Sequence, residues 1–253
     1  MDFLIDFILS YRWYLIAVKV LTLLSFFLYW TLPRRERRLK FFTYPLGIMV
    51  LVFFYEHLGS LTNTNREWNG FIYDYFYPNY PRNLYNVWVY NIFSNQLGSI
   101  LFLLLIRNLI QNPRFKRIIG GLIVSITGVT LILELSGVLP IINSQPMIFY
   151  LFYGGIIISC GLFFMDLLTN PKLMDMDLLR ELSFWQVTLI LFYFSMVFLI
   201  QIAFNYLWAT QPELLSALHT ILRFMFTLIM IIFTLTLGHR LIFKKPTFTI
   251  SYD

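Results

Sequence analysis

His219 and Arg223 stand four residues apart in "LHTILRFMFTLIM", on one helical face and about 6 Å apart along the axis, close enough to act on the same group. Glu56 and His57 adjoin in "FFYEHLG", Lys19 interrupts "LIAVKVLTLL", and Glu134 closes "GVTLILEL". Amides recur at the same interval, Asn91 with Asn95 and Gln201 with Asn205. Two cations and two carboxylates in apolar surroundings can compensate one another around a ligand, line an ion path, or hold helices together. His57 and His219 could also serve as the two axial ligands of a b-type haem, the one cofactor and metal reading these residue types allow.

These residues are positioned by a chain that is 58% hydrophobic and only 13% charged, against about 25% charged in soluble domains. A polytopic, all-α membrane protein follows. The net charge of +6 needs no nucleic acid, because basic residues crowd the cytoplasmic loops of inner-membrane proteins. Cys160 is the sole cysteine, which excludes an intrachain disulfide or a thiolate cluster. The N-terminal run carries Asp2 and Asp6 where a signal peptide carries positive charge, so it is expected to begin the first helix.

A hydrocarbon core about 30 Å thick needs roughly 20 helical residues. Seven segments qualify: 11–32, 41–62, 84–109, 118–139, 148–169, 183–209 and 214–242. They form one seven-helix domain with an outer aromatic loop at 63–83 and a cytoplasmic tail at 243–253. Fourteen Lys and Arg fall at one end of these spans and three at the other, which predicts the N-terminus outside and the C-terminus inside. "TLPRR", "QNPRF", "TNPKL" and "FKKP" add that the odd-numbered spans all end in proline beside a cation, which suits a helix C-terminus.

By depth, Lys19, Glu56, His57, Asn91, Asn95, Glu134, Gln201, Asn205, His219 and Arg223 all fall in the outer part of the bundle, and Asp166 is the inner exception. The inner halves read as nearly all Leu, Ile, Phe and Val. Polar groups without water need partners, so Arg223 is expected to face Glu56 or Glu134 across an outward cavity; structural glue is the alternative. Ten aromatics between Trp68 and Tyr90 read as an interfacial belt or as a lid charged by Asp74 and Arg82. Glycines at 120–121, 154–155 and 161 permit close helix contact. Arg34, Arg35, Arg37, Arg38, Arg114, Lys116 and Arg117 form a basic inner face suited to a protein partner.

Known chemistries are mostly excluded. The seventh span has no lysine for a retinal Schiff base, no hydrolase, zinc-protease or nucleotide-binding motif appears, and Asp166 lacks an intramembrane Asp partner. With the spans placed, "FFYEHLG", "NLYNVWVYNIF" and "FWQVTLILFYFS" resemble the stand-alone seven-helix proteins of bacteria that are similar to N-terminal sensor modules of histidine kinases. That resemblance implies perception of a ligand or membrane state from outside, in a bacterial cytoplasmic membrane. After the seventh span only "FKKPTFTISYD" follows, so a sensing role is expected to run through a partner. The expected function is a non-enzymatic receptor-like or accessory subunit, with a transporter or channel subunit, or a haem or quinone redox subunit, as alternatives.

Overall fold

The computed structural model describes residues 12–76, 86–174 and 177–242. Seven helices are long and apolar enough to cross a membrane: α1 (Arg12–Thr31), α2 (Lys40–Thr64), α3 (Val87–Leu109), α4 (Pro113–Leu135), α5 (Pro146–Thr169), α6 (Leu182–Thr210) and α7 (Pro212–Leu237). No strand occurs among the described residues. The chain is an integral membrane protein of the all-α class.

The sequence-read spans hold, with ends displaced by local chemistry. α4 begins at Pro113 instead of 118 because Asn112 accepts a hydrogen bond from the Arg114 amide at 2.9 Å, an N-cap with proline in the first helical turn. Proline also opens α5 and α7. Its missing N–H belongs to the amides a helix start leaves unpaired anyway. The prolines expected to end odd helices therefore also start what comes next: Pro113 opens α4 and Pro171 a short helix Pro171–Met174. α7 ends at Leu237, before Gly238, not at 242. The tail at 243–253 lies outside the described residues.

α1, α2, α3, α5, α6 and α7 pack in that order as a closed ring, α7 returning to α1 and also reaching α2; α4 lies outside, against α3 and α5. The ring interior is filled by aromatics: the Phe102 ring lies 5.1 Å from Phe194, 6.3 Å from Phe233 and 6.5 Å from Phe226. Burial follows the helical repeat. On α1 the buried stripe is Tyr14, Val18, Thr22, Ser25 and Leu28, the spacing of one face.

Two helix contacts are close at a glycine. A Cβ at Gly59 would lie 2.8 Å from the Tyr90 hydroxyl, and one at Gly155 would lie 2.8 Å from Ile126 Cδ1, so where α2 meets α3, and α5 meets α4, a larger residue would have to displace the end of the facing side chain. Gly120, Gly121, Gly154 and Gly161 have ordinary or open surroundings. The first half of α3 is not regular: Tyr90–Gly98 is a π-helix, in which i→i+5 hydrogen bonds replace the α pattern.

The 63–83 connection, which by its length could hold a short helix or a lid, contains the helix Arg66–Phe76. Trp68, Phe71 and Tyr75 recur at i, i+3 and i+7 and are exposed on it, and Trp88 Nε1 donates to Asn69 Oδ1 at 3.0 Å, tying it to α3. Residues 77–85, with Arg82, lie outside the described residues.

Candidate functional site

α1 and α7 begin, and α2 ends, at the end of the bundle away from the basic 33–40 turn. There they enclose, with α3 and α6, a cavity of about 340 Å³. Its charged and ionisable walls are Glu56 from α2 and His219 with Arg223 from α7. Tyr14, Tyr55, Tyr90, Tyr193 and Ser94 add hydroxyl groups, and Leu222 and Phe226 add apolar surface. Glu56 is 5% exposed. Glu56 stands eight residues before the α2 end and Arg223 eleven after the α7 start, depths of about 12 and 16 Å at 1.5 Å per residue. Glu56 and Arg223 line the same cavity, and His219, one turn from Arg223 on α7, lines it with them.

The other proposed cavity residues go elsewhere. Lys19 is exposed, one position off the Val18 stripe and hence about 100° around α1; its long stem suits a lipid-facing lysine that carries its ammonium toward the interface. His57 is bound to its own helix, its Nδ1–H donating to the Phe53 carbonyl at 2.6 Å with its ring 4.1 Å from Phe53. It does not line the cavity where His219 sits, and no group of three metal-ligating side chains forms among the described residues.

Glu134 stands one residue from the end of α4 and makes a separate amide cluster. Its Oε1 accepts from Gln96 Nε2 at 2.6 Å and from Gln145 Nε2 at 3.0 Å, and Gln145 also donates to the Leu139 carbonyl at 2.9 Å. Asn91 Nδ2 donates to the Ile141 and Asn143 carbonyls at 2.6 and 2.7 Å, and Asn95 Oδ1 accepts from the Tyr153 hydroxyl at 2.6 Å. The bonds of Asn91, Asn95 and Gln96 fasten α3 to α4, α5 and the turn between them, and those of Gln145 tie that turn to α4 and to itself. The Gln201 carbonyl accepts from the Tyr150 hydroxyl at 3.2 Å, and Asn205 is exposed. The α6–α7 hairpin is packed there by Ile200, Leu207 and Leu215.

The π-helix explains why Asn91 and Asn95 part company. On an α-helix they would share a face; with i→i+5 bonding, Asn91 is instead aligned with Gln96, and these two reach the α4–α5 turn and α4 while Asn95 reaches Tyr153 on α5. The cavity tyrosines and Ser94 were missed because 19% of the chain is aromatic, so no single tyrosine stands out. The one available signal was that Tyr55, Tyr90 and Tyr193 lie in the three quoted motifs.

The opposite end is more polar than its Leu, Ile, Phe and Val content suggested. Ser25 and Thr234 hydroxyls meet at 2.8 Å across α1 and α7. Gln186 Nε2 donates to Thr236 Oγ1 at 2.7 Å across α6 and α7. Asp166 Oδ2 accepts from the Gln111 and Asn112 amides at 2.6 and 3.3 Å, holding the α3–α4 turn. Arg240 forms a bidentate ion pair with Glu36, and His239 Nε2 lies 3.9 Å from the same carboxylate. Within the basic patch Arg34, Arg35, Arg38, Arg114 and Arg117 are exposed and Lys116 is half-buried, whereas Arg37 lies 5.3 Å over the Trp30 ring.

No protein family, curated protein or solved structure matches the chain.

Proposed function

We propose that this is a non-enzymatic, receptor-like membrane protein that takes a ligand from outside through the Glu56–His219–Arg223 cavity and acts through a protein partner at its basic end. The carrying observation is the cavity itself, where residues of opposite charge from two helices face a common space walled by tyrosine. Intramembrane ionisable groups at a cavity are binding groups by default. The three stretches that carry the sensor-module resemblance each supply a wall residue, Tyr55 and Glu56, Tyr90, and Tyr193.

The fourteen-to-three distribution of Lys and Arg supports an outward cavity and an inward basic face in a bacterial cytoplasmic membrane. The exposed arginines beside Glu36 and the α3–α4 turn offer the partner a charged surface at the ends of α1, α3 and α7. Below the cavity, the packed Phe102, Phe194, Phe226 and Phe233 rings favour binding over conduction.

Native mass spectrometry of protein extracted gently from its own membrane tests the reading. The expected spectrum carries a bound non-protein mass that disappears in Arg223→Ala while that variant still reaches the membrane and melts as the wild type does. A wild-type chain that is empty, or a bound mass indifferent to Arg223→Ala, overturns it.

A further inference from the structure

The turn between α1 and α2 carries Arg34, Arg35, Arg37 and Arg38 around one carboxylate, Glu36. That carboxylate is taken by the far end of the chain, through its bidentate pair with Arg240 and the His239 Nε2 at 3.9 Å. Among the described residues no carboxylate pairs with any of the four arginines of the turn. Their charge is balanced by nothing in the fold.

Arg37 is the fixed member of the group. Its carbonyl accepts from the Tyr29 hydroxyl at 2.7 Å and from Thr43 Oγ1 at 3.2 Å, which holds it between α1 and α2. Its guanidinium lies 5.3 Å over the Trp30 ring, and its Nε–H is buried with no acceptor among the described residues. Arg34, Arg37 and Arg38 stand at i, i+3 and i+4 along the short helix Arg34–Arg37, on one side of it. Trp30 belongs to the last turn of α1, the depth at which indole rings meet lipid headgroups. Leu23, Phe26, Phe27 and Trp30 are all exposed and share one face. An apolar stripe about 10 Å long thus runs from beneath the guanidinium into the hydrocarbon.

We propose that the α1–α2 turn binds an anionic phospholipid, with the phosphate on Arg37, Arg34 and Arg38 beside it, and an acyl chain along the Trp30–Leu23 stripe. Guanidinium forks take phosphate oxygens two at a time. Zwitterionic and anionic lipids share that phosphate and the acyl chains and differ in the group beyond. Choline or ethanolamine would set a further cation among the arginines; a neutral glycerol headgroup does not. A soluble phosphate brings the charge but nothing for the stripe. Each basic residue at a membrane surface is worth about fivefold in attraction to anionic lipid. The site is independent of the Glu56–Arg223 cavity, which lies toward the other end of the bundle.

The test is native mass spectrometry of the full chain in neutral detergent with equal amounts of phosphatidylglycerol and phosphatidylcholine of identical acyl chains. Phosphatidylglycerol is expected to be retained at least about tenfold more often. Arg37→Gln should cut that preference about fivefold, and Arg37→Lys, which keeps the charge but loses the fork, should cut it by about twofold or more. Equal retention of the two lipids by the wild-type protein overturns the proposal and returns these arginines to the protein partner. A preference that survives Arg37→Lys intact, or that Arg12→Gln at the opposite end lowers as much as Arg37→Gln does, overturns the site and leaves only a general attraction by net charge. Loss of the bound lipid to equimolar inorganic phosphate overturns the lipid as occupant. The wild-type comparison needs no variant to fold.

Discussion

Glu56 and Glu134 are both carboxylates in the same half of the bundle, and in the sequence only the place of Glu134 near the end of its span sets them apart. Glu134 sits near a helix end with two glutamine amides on one oxygen; its surroundings are protein, and its role is to fasten α4 to α3 and to the start of α5. Glu56 sits deeper, is nearly fully buried, and faces a chamber it shares with a guanidinium and four phenols. A buried charge whose partners are supplied by neighbouring side chains reports on the fold. In the function proposed above, one on the wall of a cavity that also holds a cation bears on what enters.

The sharpest way to break this contrast is to exchange the readouts. Arg223→Gln should weaken binding of the cavity's ligand by about 2–5 kcal/mol, the usual cost of removing one partner from a desolvated charge contact, while melting changes little. Glu134→Ala should do the reverse, leaving affinity in place and costing about 1–2 kcal/mol of stability as two interhelical hydrogen bonds are lost. Titration and thermal melting of both variants check it. Loss of binding in Glu134→Ala at wild-type stability would erase the distinction.

Gly59→Ala probes the boundary between the two roles, because Tyr90 is both a cavity wall and a helix contact. Added bulk at a packed site costs about 1–3 kcal/mol. Tyr90 must move to admit the methyl group, so both melting temperature and affinity should fall together. An unchanged affinity would show that the Tyr90 hydroxyl is not used by the ligand.

The smallest effect belongs to the far end. Burial pushes the His239 imidazole below its ordinary value, with the Glu36 carboxylate opposing that shift. The unfolded chain takes up this proton near pH 6.5 and the folded chain only at lower pH, so the stability contribution is complete above about 6.5 and is lost as pH falls below it. Melting curves from pH 7.5 down to 5.5 should show this slope, and His239→Gln should flatten it without altering ligand affinity at neutral pH.

Much of this was legible in the sequence, for identifiable reasons. Apolar length gives the spans directly, and charges such as Glu56 and Arg223 stand out against a hydrocarbon background. Direction around a helix is harder. Lys19 differs from its neighbour Val18 by one residue, yet that step turns it from the ring interior to the outside. The Ser25–Thr234 and Gln186–Thr236 contacts were hidden because a hydroxyl in a helix can bond its own backbone, as Thr234 and Thr236 also do, and so announces no partner.

The irregular stretch of α3 sets a constraint on chain length. Within Tyr90–Gly98, successive polar residues are delivered to different neighbours: Tyr90 to α2, Asn91 to the α4–α5 turn, Ser94 to the cavity, Asn95 to α5 and Gln96 to α4. One residue of an α-helix is worth about 100° of rotation. Removing a single residue here to restore regular winding would swing every group above it by a quarter turn or more relative to those below. Side-chain identity in this stretch can drift wherever a substitute reaches the same neighbour, but the number of residues cannot, and the segment acts as a counted spacer that keeps five separate appointments in one turn-and-a-half of chain.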